Sequence, residues 1–171
     1  MLPAPFDFNV YPASVLALVN LADYLVEFPY RDFPDKVERA LIEKRGKTGF
    51  TPLQVTASIL FQLYKTEQLL KLGALPNAPE SGGGTLAHSM NFILCYDLAD
   101  CSATYLYSIL ELLHGHGLDL NMPDQDGYTA LHVAADAQRT DVMAWLLLHG
   151  ADSTLKTPLG MSAKDILAKQ D

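Results

Sequence analysis

The chain has 171 residues, 49% of them hydrophobic, enough apolar material for one domain with a continuous core. No segment approaches the ~20 apolar residues that a membrane span requires, and residues 1–10 lack the basic start and apolar run of a secretory signal, so a cytoplasmic location off the membrane is expected. The net charge of −8 is one-sided: residues 1–73 hold eight Lys and Arg against eight Asp and Glu, whereas residues 74–171 hold four against twelve. Such a surface repels nucleic acid and steers basic partners, although acidic surfaces also serve solubility alone.

In chain order, residues 12–28 and 35–45 read as a first helix pair. Asp32 or Pro34 starts the second helix, Val37, Ala40, Leu41 and Ile42 form its buried stripe, and Gly46 ends it. Helices are then expected over 52–62 and 66–72, 86–98 and 103–114, 130–136 and 140–148, with a last one over 162–169. Gly73, Gly117 and Gly150 each stand ten residues before a second glycine, Gly83, Gly127 and Gly160. The first of each pair can take the left-handed conformation that stops a helix, and the second can make the tight turn before the next.

The opening turns recur as Gly-Phe-Thr-Pro-Leu-Gln54, Gly-Gly-Thr-Leu-Ala-His88 and Gly-Tyr-Thr-Ala-Leu-His132. Threonine is a good N-cap, and Pro52 is tolerated in a first helical turn because its missing N–H has no intrahelical partner there. Gly49 to Gly83 is 34 residues and Gly127 to Gly160 is 33, but Gly83 to Gly127 is 44. About eleven extra residues are therefore expected around Cys95 to Ala103, between two helices.

Residues 121–152, NMPDQDGYTALHVAADAQRTDVMAWLLLHGAD, resemble one complete ankyrin repeat. The matching residues are Gly127, Thr129 to His132, Ala134 and Ala135, the apolar Val142, Met143 and Trp145 to Leu147, and the closing Gly150 to Asp152. Ala130 departs from the proline usual in the family. The resemblance implies an all-α solenoid of stacked antiparallel helix pairs, because one unit cannot bury its own apolar face. Its expected parts are an N-terminal cap or degenerate repeat over 1–48, with a finger cut to three residues, repeats over 49–82, 83–126 (with the insertion) and 127–159, and a cap helix over 160–171 with a polar outer face.

The family likeness further implies a non-enzymatic module that binds another protein, as a monomer or heterocomplex, through finger tips and the concave face of the inner helices. On the best-matched unit those positions are Asp124, Gln125, Asp126, Tyr128, Asp136, Ala137 and His149. On the unit before it they are Ser81, Gly84, Phe92 and Ile93, and on the first clear unit Phe50, Ser58 and Ile59. Tyr128, Phe50 and Phe92 are the aromatic anchor candidates. Core packing is the competing reading for Phe92 and Ile93, which the insertion could bury. Trp145 is assigned to packing, since its outer-helix position normally faces the core. The resemblance also puts His88 and His132 in the turn motif, where the imidazole ties adjacent turns together. A dedicated inhibitor or immunity-type antidote, plugging a basic cleft, is the most concrete version of this function.

The alternative is an enzyme or metal-dependent protein using His114, His116 and Asp119. Zinc needs three or four convergent ligands, and no acid, thiol or third imidazole completes that set in the sequence, so no cofactor is expected. Gly82 to Gly84 lacks the Lys-Ser/Thr of a phosphate loop. Ser58 and Ser89 lack a nucleophile elbow, and the pair Asp124 and Asp126 falls in a turn. Cys95 and Cys101 read as free thiols of a reducing compartment, with a regulatory disulfide as the weaker alternative.

Overall fold

The computed structural model of the chain describes residues 22–23, 39–80, 83–96 and 102–169, and every regular element among them is helical. The expected helix over 12–28 falls outside them apart from Ala22 and Asp23, as do the start of the helix expected over 35–45 and residues 170–171. The chain divides into two compact units, Met1–Leu75 and Pro76–Asp171.

In the first unit, α1 (Arg39–Ile42) buries Leu41 and Ile42, as their stripe predicts. Gly46 does not end this helix. It opens the following turn, donating its N–H to the Phe50 carbonyl at 2.9 Å, while Gly49 N–H returns to Gly46 O at 2.9 Å. Thr51 then caps α2 (Pro52–Gln54) in a reciprocal box with Gln54. The expected helix over 52–62 changes character after one turn and runs on as a π-helix, Val55–Ile59. Leu60 N–H reaches Val55 O at 2.9 Å and Gln62 N–H reaches Thr56 O at 2.7 Å. Gly49 to Gly73 spans 24 residues where Gly127 to Gly150 spans 23. The widened turn takes up that one extra residue without moving the flanking glycines out of register. Phe61, at φ 50°, makes the reversal, and α3 (Leu63–Lys71) begins earlier than the expected 66.

The second unit stacks α4 (Leu86–Tyr96), α5 (Ala103–Gly115), α6 (Ala130–Asp136), α7 (Thr140–Leu148) and α8 (Ala163–Leu167). Leu86, Met90, Leu94, Ile109, Leu110, Leu113, Leu131, Val142, Leu146 and Ile166 form the core. The eleven-residue excess is not a loop alone. Counted from Thr85 and Thr129, α4 runs four residues beyond the end of α6. Counted back from Gly117 and Gly150, α5 starts four residues earlier than α7. Each helix of this pair has gained a turn, and only about three residues lengthen the connection.

Trp145 is also not where its position predicts. It is half-buried, and Leu146 and Val142 fill the core instead. The indole lies on the outer-helix side, 5.8 Å from the Tyr107 ring and stacked on His149 at 3.9 Å, with His114 edge-on at 6.5 Å. In the last helix Lys164 and Asp165 are exposed and Ala163 and Ile166 buried, whereas Leu147, Leu148 and Leu159 are exposed in the repeat before it.

The helix stops follow the glycine pairs. Gly73, Gly117 and Gly150 sit at φ 93°, 90° and 92°. Behind them, Ala74, Leu118 and Ala151 donate to the carbonyls of Leu69, Leu113 and Leu146 at 3.0, 3.1 and 2.9 Å, the long-range bond of a Schellman stop.

Candidate protein-interaction surface

The fingers are built from one turn used repeatedly. Glu80, Asp124 and Thr157 donate their N–H to the carbonyl four residues on, in Gly84, Tyr128 and Met161, at 2.7, 2.8 and 2.9 Å. Gly46 and Phe50 form the same turn in the first unit. On the best-matched finger Asp124 reinforces it, since Oδ1 accepts from the N–H groups of Asp126 and Tyr128, both at 2.9 Å. Asp124 therefore shapes the finger, while Gln125 and Asp126 are the exposed tip.

Three kinds of contact hold neighbouring fingers together. Asn77 Nδ2 donates to Gly117 O at 2.8 Å, and its Oδ1 accepts from Asp119 N–H at 2.8 Å. Asn121 repeats this with Gly150 O at 3.2 Å and Asp152 N–H at 2.7 Å. In the first unit Glu43 takes the acceptor half of the role, receiving Leu75 N–H at 2.8 Å. Secondly, His88 Nε2 meets Tyr128 O at 2.8 Å and His132 Nε2 meets Leu155 O at 3.2 Å, the ties expected of these histidines. Thirdly, a Cβ on Gly83 would meet Gln125 at 2.6 Å, and one on Gly127 would meet the Pro158 ring at 2.6 Å. Gln125 thus lies against the preceding finger.

The remaining positions divide by what surrounds them. Tyr128 is half-buried, its ring edge-on to His132 at 6.0 Å. Asp136 is exposed and Ala137 half-buried at the end of α6. Phe92 is exposed, whereas Ile93 is half-buried. Gly84 is half-buried, and Ser81 lies outside the described residues. In the first unit Phe50 is half-buried, Ile59 is exposed, and Ser58 donates its hydroxyl to Gln54 O at 2.8 Å. His149 is the exception. Its Nδ1 lies 2.7 Å from Trp145 O and its ring stacks on the indole, so it faces the outer helices rather than the concave side.

Sequence reasoning missed Asn77, Asn121, Tyr96 and Arg139. The two asparagines carried a signal, since each stands four residues after a helix-ending glycine. Arg139 donates through Nη1 to Leu94 O at 2.7 Å and Cys95 O at 3.1 Å, holding the lengthened end of α4, and through Nε and Nη2 to the two Asp141 oxygens, both at 2.9 Å. That hydrogen bond from Arg139 holds the Asp141 carboxyl below its usual range. Burial, seconded by Asp141, raises the Tyr107 hydroxyl beside it. Cys95 is buried, and Cys101 lies outside the described residues.

His114, His116 and Asp119 point to different neighbours. His114 packs edge-on against His149 at 5.5 Å, His116 Nδ1 lies 2.9 Å from Leu112 O, and Asp119 Oδ1 accepts from Asn121 N–H at 2.8 Å. Among the described residues no three His, Cys, Asp or Glu side chains converge as a metal set, and no helix is long and apolar enough to cross a membrane.

Residues 112–166 match the family of ankyrin repeats, and every regular element among the described residues is helical, as in a solenoid of such repeats. Such repeats are protein-interaction modules. The chain is similar to the RelA-associated inhibitor of Mus musculus, 30% identical over 108 residues, covering 63% of this chain and 12% of that protein. It is also similar to the nuclear factor NF-kappa-B p105 subunit of Gallus gallus, 29% identical over 180 residues, covering 86% of this chain and 18% of that one. The regulatory protein NPR6 of Arabidopsis thaliana is 39% identical over 75 residues, covering 43% of this chain and 15% of its own length. The chain thus spans less than a fifth of each of these relatives.

Proposed function

We propose that this chain is a non-enzymatic module of the cytoplasm that binds a basic protein surface through its fingers and inner-helix face, acting as a dedicated inhibitor or immunity-type antidote. The observation that carries this reading is the finger series itself. Asn77, Asn121, His88 and His132 lock the backbone between repeats, so Gln125, Asp126 and Tyr128 are presented on a rigid support. Preorganised contact residues bind without the entropic cost of ordering a loop. The carboxylate excess after residue 74 supplies the complement to a cationic partner. The similarity to a protein described as an inhibitor is consistent with the blocking role.

The test is copurification of the intact chain from its host, followed by association kinetics with the recovered partner. Charge reversal of Asp126 and Asp136 is expected to slow association and flatten its salt dependence, because rim charges act mainly on encounter. Tyr128→Ala is expected to speed dissociation, at a cost of about 2 kcal/mol for a hot spot. Affinity indifferent to salt and to all three substitutions defeats the reading.

A further inference from the structure

His88, Phe92 and Tyr96 stand four residues apart on α4 and so share one face. At 1.5 Å per residue they span about 12 Å. His88 ties the lower end of this stripe to the Tyr128 carbonyl. The upper end is the added helical turn, whose Leu94 and Cys95 carbonyls are held by Arg139. Phe92 and Tyr96 are 49% and 47% exposed, and their ring centroids lie 4.7 Å apart with planes tilted by 45°. Two exposed rings in mutual contact on an anchored helix are a preformed apolar platform.

Its surroundings specify the occupant. Phe92 lies seven residues after Thr85, and the same position after Thr129 on the neighbouring inner helix is Asp136. The finger at the lower end presents Asp126. The one arginine in this neighbourhood, Arg139, is turned into the Leu94 and Cys95 carbonyls and the Asp141 carboxylate.

We propose that Phe92 and Tyr96 anchor a partner segment in which an apolar side chain is flanked by lysine or arginine. The apolar group rests on the two rings, and the cations face Asp126 and Asp136. The ring faces themselves attract a cation, while an acidic segment meets repulsion from both carboxylates. This rests on the protein-binding reading above and adds to it a site at the end of α4, where Tyr96 lies on the turn by which that helix outreaches its neighbour.

The whole chain is screened against a phage-displayed library of random twelve-residue peptides, and enriched peptides are synthesised and titrated. The parent is compared with Phe92→Gln/Tyr96→Gln and with Asp126→Lys/Tyr128→Ala, each first matched to it in helical circular dichroism. The expected result is peptides with an apolar residue between basic ones, whose affinity falls about tenfold or more in the Phe92/Tyr96 variant. Peptides that ignore that variant but are lost in the finger variant overturn the anchor and leave the module standing. Acidic or uncharged consensus peptides overturn the stated chemistry. No peptide binding the parent overturns both the anchor and the module.

Discussion

His88 and Tyr128 are joined across two fingers: Nε2 of the imidazole lies 2.8 Å from the Tyr128 carbonyl, while Nδ1 accepts the Thr85 N–H at 3.1 Å. A backbone N–H can only donate and a carbonyl can only accept, so this pairing assigns the neutral tautomer with the proton on Nε2. His132 is held the same way between Thr129 N–H at 3.1 Å and Leu155 O at 3.2 Å. Gln54 and Asp165 occupy the same cap position, accepting from Thr51 N–H and Ser162 N–H at 2.9 Å. The two imidazoles also reach the next finger.

From this follows the first expectation. His88→Ala and His132→Ala each leave a buried threonine N–H unpaired and remove a bond to a finger carbonyl, at a cost of about 1–3 kcal/mol. Urea unfolding measures the loss. Imidazole nitrogen shifts in the parent should show Nδ1 unprotonated in both residues; the opposite tautomer overturns the assignment.

Gly127 has φ 79°, and a Cβ there would meet the Pro158 ring at 2.6 and 2.7 Å. A proline ring cannot swing aside as a flexible side chain can. Gly127→Ala is therefore expected to destabilise by about 1–3 kcal/mol from backbone conformation alone, with the clash added. Gly150→Ala carries the strain without the clash, because nothing lies within 4 Å of its added Cβ. Thermal unfolding of the pair should rank Gly127→Ala as the less stable.

Arg139 couples the end of α4 to Asp141, and this pairing depends on pH. The hydrogen bond depresses the Asp141 carboxyl below its ordinary 3.8, so its stabilisation is complete above that value. It is lost as pH falls through the lower native value. Asp165, lowered by its bonds to Ser162 at the cap of α8, loses its contribution in the same direction. Asp141→Asn should flatten the acid limb of a urea-midpoint profile below about pH 4. Arg139→Ala should cost about 1–3 kcal/mol at neutral pH, through the charged bonds to Leu94 and Cys95 carbonyls.

Leu131 and Trp145 separate the core from the outer surface. Leu131 is 2% exposed, and Leu131→Ala is expected to cost about 2–5 kcal/mol as a large-to-small core change. Trp145 is half-buried among Tyr107, His114 and His149, with its Nε1 buried and unpartnered among the described residues. Trp145→Phe keeps ring contact and removes that unpaired donor, so it should cost less than Leu131→Ala. Equal losses in chemical unfolding would return Trp145 to the core.

Turn and cap chemistry was legible in the sequence because it is local. A glycine that must adopt positive φ, and a threonine bonded to the third residue beyond it, are decided within ten residues. Gly73, Gly83, Gly117, Gly127, Gly150 and Gly160 accordingly all have positive φ. The exposed tip residues Gln125 and Asp126 followed from the resemblance to the ankyrin repeat. By contrast, α7 is apolar at Val142, Met143, Trp145, Leu146, Leu147 and Leu148, a pattern too broad to say which residue faces inward. Packing against α5 and α6 put Leu146 inside and left Trp145 on the outer side. The division of the insertion into two helical turns, the π-turn at Val55–Ile59 and the Arg139 clamp were likewise tertiary outcomes. Each depends on where a neighbouring repeat places carbonyls and free volume, which residue order along one segment does not encode.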